Sequence, residues 1–85
     1  MIASTAVPSW ASDVDDVLDT SGLRCPEPLM LLRNRLRSLA DGARLHVIAT
    51  DPASVRDFEQ LCRFMGHAMP HRDDSCEVLQ FLIVK

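Results

Sequence analysis

The chain has 85 residues, 47% apolar and 25% charged, an ordinary composition for one globular domain. A domain of this size buries roughly 60–65% of its unfolded surface, which excludes a deep pocket for a large organic cofactor. Nine basic residues against twelve acidic ones give a formal charge of −3; direct nucleic-acid binding is not expected, because a phosphate-backbone binder needs a basic face.

Residues 1–14 are rich in Ala, Ser and Thr and show no period, which predicts a mobile N-terminal tail with Trp10 tacked onto the domain. Residues 15–85 are expected to form a single domain. Val17 and Leu18 mark a short first strand over Asp15–Asp19, and the Thr20–Arg24 stretch with Gly22 reads as a loop. From Pro26 to Leu39, the 3-4-3 spacing of Leu29, Leu32, Leu36 and Leu39 predicts an amphipathic helix stopped by Gly42. Arg44–Thr50 alternates as a strand, with Leu45, Val47 and Ala49 on one face and Arg44, His46 and Ile48 on the other. His46 is then a surface histidine.

Asp51-Pro52 is a helix start: a capping carboxylate followed by proline in the first turn. The second helix runs to Met65 with Val55, Phe58, Leu61, Cys62 and Met65 inward, and Gly66 suits its left-handed exit. His67–His71 and Cys76/Glu77–Val84 read as two more strands, separated by a polar turn over Arg72–Ser75. The order β-α-β-α-β-β with right-handed crossovers predicts an α/β two-layer sandwich, a four-stranded mixed sheet with both helices on one face. No apolar run approaches a membrane span, and the N-terminus lacks the basic and apolar regions of a signal peptide. A cytoplasmic protein with no membrane association is expected.

Three cysteines, Cys25, Cys62 and Cys76, do not make a disulfide framework. Cys25 sits in Gly22-Leu23-Arg24-Cys25-Pro26-Glu27-Pro28, at the predicted start of the first helix. A helix N-terminus favours thiolate, and Arg24 adds to that, while Pro26 and Pro28 remove amide donors and Glu27 brings negative charge. The balance predicts an accessible, modestly activated thiol on a rigid turn. Cys62 lies on the inward arc of its helix and reads as a core residue. Nothing nearby activates Cys76. Cys62-x4-His67-x3-His71-x4-Cys76 contains metal-ligand residue types but lacks the Cys-x2-Cys knuckle, and no metal is expected. A thioredoxin-type dithiol is excluded because Pro28 stands where its second cysteine belongs.

With the leucine stripe inward, Met30 and Leu31 face outward beside Cys25, flanked by Arg33 and Arg37 on one side and Arg35 on the other. Four arginines against one glutamate over Leu23–Ala40 make this face locally basic in an acidic chain. Such a surface suits protein docking.

Leu18-Asp19, the Gly22–Pro28 run with its Cys-Pro-x-Pro element, Asp51-Pro52 and Cys62-x-x-Met65 together resemble the TusA/SirA-like sulfur-carrier family, most closely its TusA branch. The resemblance extends from about Val17 to Lys85. It implies the same β-α-β-α-β-β sandwich. It also implies that Cys25 carries sulfane sulfur as a persulfide, with Pro26 and Pro28 as structural support, and that no cofactor is needed. A cysteine desulfurase would be the donor and downstream sulfur-relay proteins the acceptors, ending in tRNA 2-thiouridine; related members serve other sulfur pathways. A carrier presenting one thiol to successive partners is expected to be a monomer. A non-catalytic interaction module, with Cys25 incidental, is the competing reading.

Overall fold

The structure, a computed structural model, describes residues 8–85. A 3-10 turn, Ser9–Ser12, precedes β1 (Asp16–Thr20), α1 (Glu27–Ser38), β2 (Arg44–Ala49), α2 (Ala53–Met65), β3 (Ala68–Asp73) and β4 (Leu79–Val84). The strands form one mixed sheet in the order β1-β2-β4-β3. β1 runs parallel to β2, and β4 is antiparallel to both β2 and β3. The chain therefore steps twice toward the same sheet edge, through α1 and then α2. Right-handed crossovers in one direction put both helices on one face. The two-layer α/β sandwich expected from the sequence is the fold observed.

The core lies between helices and sheet. In register, Leu18 meets Val47, while Leu45, Val47 and Ala49 meet Ile83, Phe81 and Leu79. These side chains share strand parity and pack against Leu32 and Leu36 of α1 and Phe58 and Cys62 of α2. Phe58 and Phe81 meet edge to face, with ring centroids 5.0 Å apart. Leu29, Leu39, Val55 and Leu61 are partly buried at the margin of this core. Met65, expected inward, is 43% exposed. It is the last residue of α2, where Gly66 takes a φ of 77° and turns the chain away.

The opposite face of the sheet corrects a second expectation. His46 is only 6% exposed. Its Nε2 is 2.9 Å from Gln80 Oε1. Trp10 lies over it edge-on at 5.1 Å and stacks flat on His71 at 5.6 Å. Alternation placed His46 correctly on the second face, but that face is covered by a ring from far earlier in the chain. Residues 1–7 of the expected tail lie outside the described residues. Two boundaries also move. β3 continues through Arg72 and Asp73, which pair with Phe81 and Gln80, and β4 starts only at Leu79.

Candidate functional site

Two loops leave the same end of the parallel pair β1–β2. The first, after β1, carries Gly22 at a φ of 81°, a left-handed conformation that a side chain strains. Its amide donates to Thr50 Oγ1 at 2.8 Å, tying it to the loop after β2. Thr20, fully buried, anchors the start of the loop by donating its hydroxyl to Ile48 O at 2.7 Å. Cys25 stands at the far end of this loop and is exposed.

A single carboxylate organises the junction. Asp51 Oδ1 accepts from the Ala53 amide at 3.0 Å, the capping role that the Asp51-Pro52 pair predicts. Asp51 Oδ2 accepts from the Cys25 amide at 2.7 Å. These two amide bonds hold the Asp51 carboxyl below the usual carboxylate range, with Arg24 adding a smaller pull in the same direction. The start of α2 thereby fixes the backbone of the cysteine that precedes α1.

The sulfur itself meets a different acid. Cys25 Sγ donates to Asp57 Oδ2 at 3.4 Å. This contact, then a slight desolvation of the sulfur, then the charges of Asp57 and Asp51, push the Cys25 thiol upward; Arg56 opposes them weakly. The expected mild activation is thus reversed, for a physical reason. Pro26 and Pro28 have no amide hydrogen, and the Glu27 amide is already donated to Arg24 O at 2.9 Å. Three of the first-turn positions therefore offer the sulfur no amide, while the Asp57 carboxylate lies against it. Arg24, expected to act on the thiol, instead bears on Asp51.

The remaining motif residues take separate positions. Pro28 is fully buried beneath the turn, whereas Pro26 and Glu27 are exposed. Met30, Arg33 and Arg37 line a shallow groove of about 220 Å³ together with Asn34. Leu31 is exposed on the same helix but is not part of that lining. Arg35, placed by the sequence on the flank of this face, turns to the sheet and donates to Asp16 Oδ2 at 2.7 Å and Val17 O at 3.2 Å. A wider groove beside Cys25, lined by Gly22, Leu23, Arg24, Thr50, Asp51 and Pro52, opens between the two loops.

The other cysteines and histidines are dispersed. Cys62 is buried in the core, and burial pushes its thiol up to about 11. Cys76 is exposed. His71 lies under Trp10 on the face opposite Cys62, so the Cys62–His67–His71–Cys76 pattern is split between the two sides of the sheet. Two residues were missed by sequence reasoning. Asp57 carries a detectable signal, since it lies one turn beyond Ala53 on the flank of Phe58. Phe64, 87% exposed near the end of α2, has none beyond its place outside the apolar arc.

Comparison with known proteins bears on the family and the fold. A family model described as Sulfurtransferase TusA matches residues 16–85. The Sulfur carrier protein TusA of Pseudomonas aeruginosa is 44% identical over 72 residues, covering 85% of this chain and 91% of the relative. The protein of the same name from Pseudomonas putida is 42% identical over 71 residues, covering 84% and 89%. Among solved structures, a SirA-like protein from Desulfitobacterium hafniense superposes with a TM-score of 0.71 at 21% identity, covering 81% of this chain and 95% of that one, and so shares its fold. The chain belongs to the TusA family of sulfur carriers.

Proposed function

We propose that the protein carries sulfur as a persulfide on Cys25, taking it from a cysteine desulfurase and relaying it to a downstream acceptor protein. The observation that carries this reading is the exposed Cys25 thiol on a turn braced by Thr50 and Asp51. The thiol presents its sulfur at the surface while its backbone is fixed, so it suits entry into a partner's site.

The chemistry needs no oxidant. The Cys25 thiolate attacks the terminal sulfur of the donor persulfide, the donor's S–S bond breaks, and the donor sulfur leaves with the electron pair. The proton lost from Cys25 ends on the departing donor thiolate. Cys25 now holds the extra sulfur, and an acceptor thiolate removes it by the same exchange, with Cys25 as leaving group. The end product in this reading is the 2-thiouridine of tRNA, reached through partner proteins acting in the cytoplasm. Pro26 and Pro28 stiffen the turn, and Arg24 and Glu27 flank it. Met30, Leu31, Arg33 and Arg37 form the docking face for donor or acceptor, and the carrier works as a monomer.

Incubation with a cysteine desulfurase and cysteine, followed by intact mass without reductant, tests the reading. The wild type is expected to gain one sulfur atom that reductant removes, and Cys25→Ser to gain none. Equal gain in both would move the site elsewhere, and no gain with several desulfurases would favour the interaction-module reading. In the same assay Arg33→Glu should fold normally and take sulfur more slowly; a wild-type rate would remove the docking assignment.

A further inference from the structure

We infer that Asp57 is a positioning residue that holds the Cys25 thiol protonated and fixed in direction in the free protein, making the carrier cysteine a latent nucleophile. The inference rests on the reading of Cys25 as the carrier thiol and adds a control on it. The contact spans 32 residues of sequence, from the second turn of α2 to the loop before α1. The Asp57 side chain is only 17% exposed and reaches the exposed sulfur at the surface. The other charged groups around Cys25 are Asp51 from the loop after β2, Arg56 on α2, and its chain neighbours Arg24 and Glu27. Among the described residues, only Asp57 bonds the sulfur itself.

The thiolate is the reactive form of a cysteine. Ionising Cys25 forfeits its donated hydrogen bond and sets two negative charges side by side, so the carboxylate disfavours the thiolate by both routes. Asp57 is not a general base for this thiol. A carboxyl group is several pK units more acidic than a thiol (about 3.9 against about 8.5) and does not hold the proton. During transfer the proton passes to the departing donor thiolate. The effect of Asp57 is to keep the free carrier unreactive toward stray electrophiles and oxidants, which select exposed thiolates.

The test reads Cys25 without any sulfur donor. In a Cys76→Ser background, Cys25 is the one exposed cysteine, and its alkylation rate by iodoacetamide is followed from pH 6 to pH 11. Asp57→Asn should move the midpoint of this profile to lower pH and raise the rate at pH 7.5 about three- to tenfold, since one pK unit is a tenfold change in thiolate fraction below the midpoint. The plateau at high pH should not change. Asp57→Glu, which retains the charge, should stay closer to the wild-type profile. An unchanged midpoint in Asp57→Asn, a change confined to the plateau, or equal shifts in the Asn and Glu variants would overturn the inference. Failure of the desulfurase assay leaves this profile readable, so the two ideas fail separately.

Discussion

The two faces of the sheet are covered by different means. On the helix side, Leu32, Leu36, Phe58 and Cys62 meet a layer of aliphatic and aromatic strand residues in one apolar cluster. On the other side, among the described residues, the Trp10 ring lies over two histidines, and His46 reaches Gln80 by a hydrogen bond. Apolar burial scales with area and needs no direction, so the helix side carries most of the stability. The second side is a thin cover whose polar groups must be individually satisfied. Among the described residues no buried side-chain nitrogen or oxygen lacks a partner, so the polar cover is complete even though it is slight.

Substitutions on each side sharpen this contrast. Phe58→Ala should have the largest effect, about 3–5 kcal/mol by urea unfolding, because it empties the centre of the helix side. Leu32→Ala follows at about 2–5 kcal/mol. Alkaline pH supplies a second probe of the same side. The Cys62 thiol is held neutral up to about 11 by burial. A raised folded value means its contribution is full below the unfolded value of about 8.5 and is lost as pH climbs through the folded one, by about 3 kcal/mol in total. Cys62→Ala should flatten that alkaline limb; an unchanged slope would show that the thiol ionises without opening the core. On the second face, Trp10→Ala should cost about 1 kcal/mol, the scale of a partly exposed aromatic contact. A loss as large as that of Phe58→Ala would break the contrast outright.

The same contrast marks what the sequence made legible. The helix-side core followed from local period: Leu32 and Leu36 on one helix, Phe58 and Cys62 on the other, and the parity of Leu45, Val47 and Ala49. Asp51 and Gly66 announced the ends of α2 through residue type alone. Cys25 stood out because a cysteine between a glycine loop and two prolines is a local pattern. What stayed hidden was non-local. Neither Trp10 over His46 nor Asp57 on the Cys25 sulfur leaves a periodic trace, because each depends on which loop the sheet brings alongside. The expectation of an activated thiol failed for the same reason. It counted the amides and charges adjacent in sequence, whereas an acid 32 residues away lies against the sulfur.

Asp51 holds the amides of Cys25 and Ala53 on the two oxygens of one carboxylate. That sharing makes the Ala53 amide a built-in spectroscopic reporter. In a nitrogen-15 spectrum its resonance should move with that of Cys25 whenever the turn shifts, for example as sulfur is loaded. The state of the thiol then becomes readable from a backbone position that carries no sulfur, with no probe attached to the cysteine.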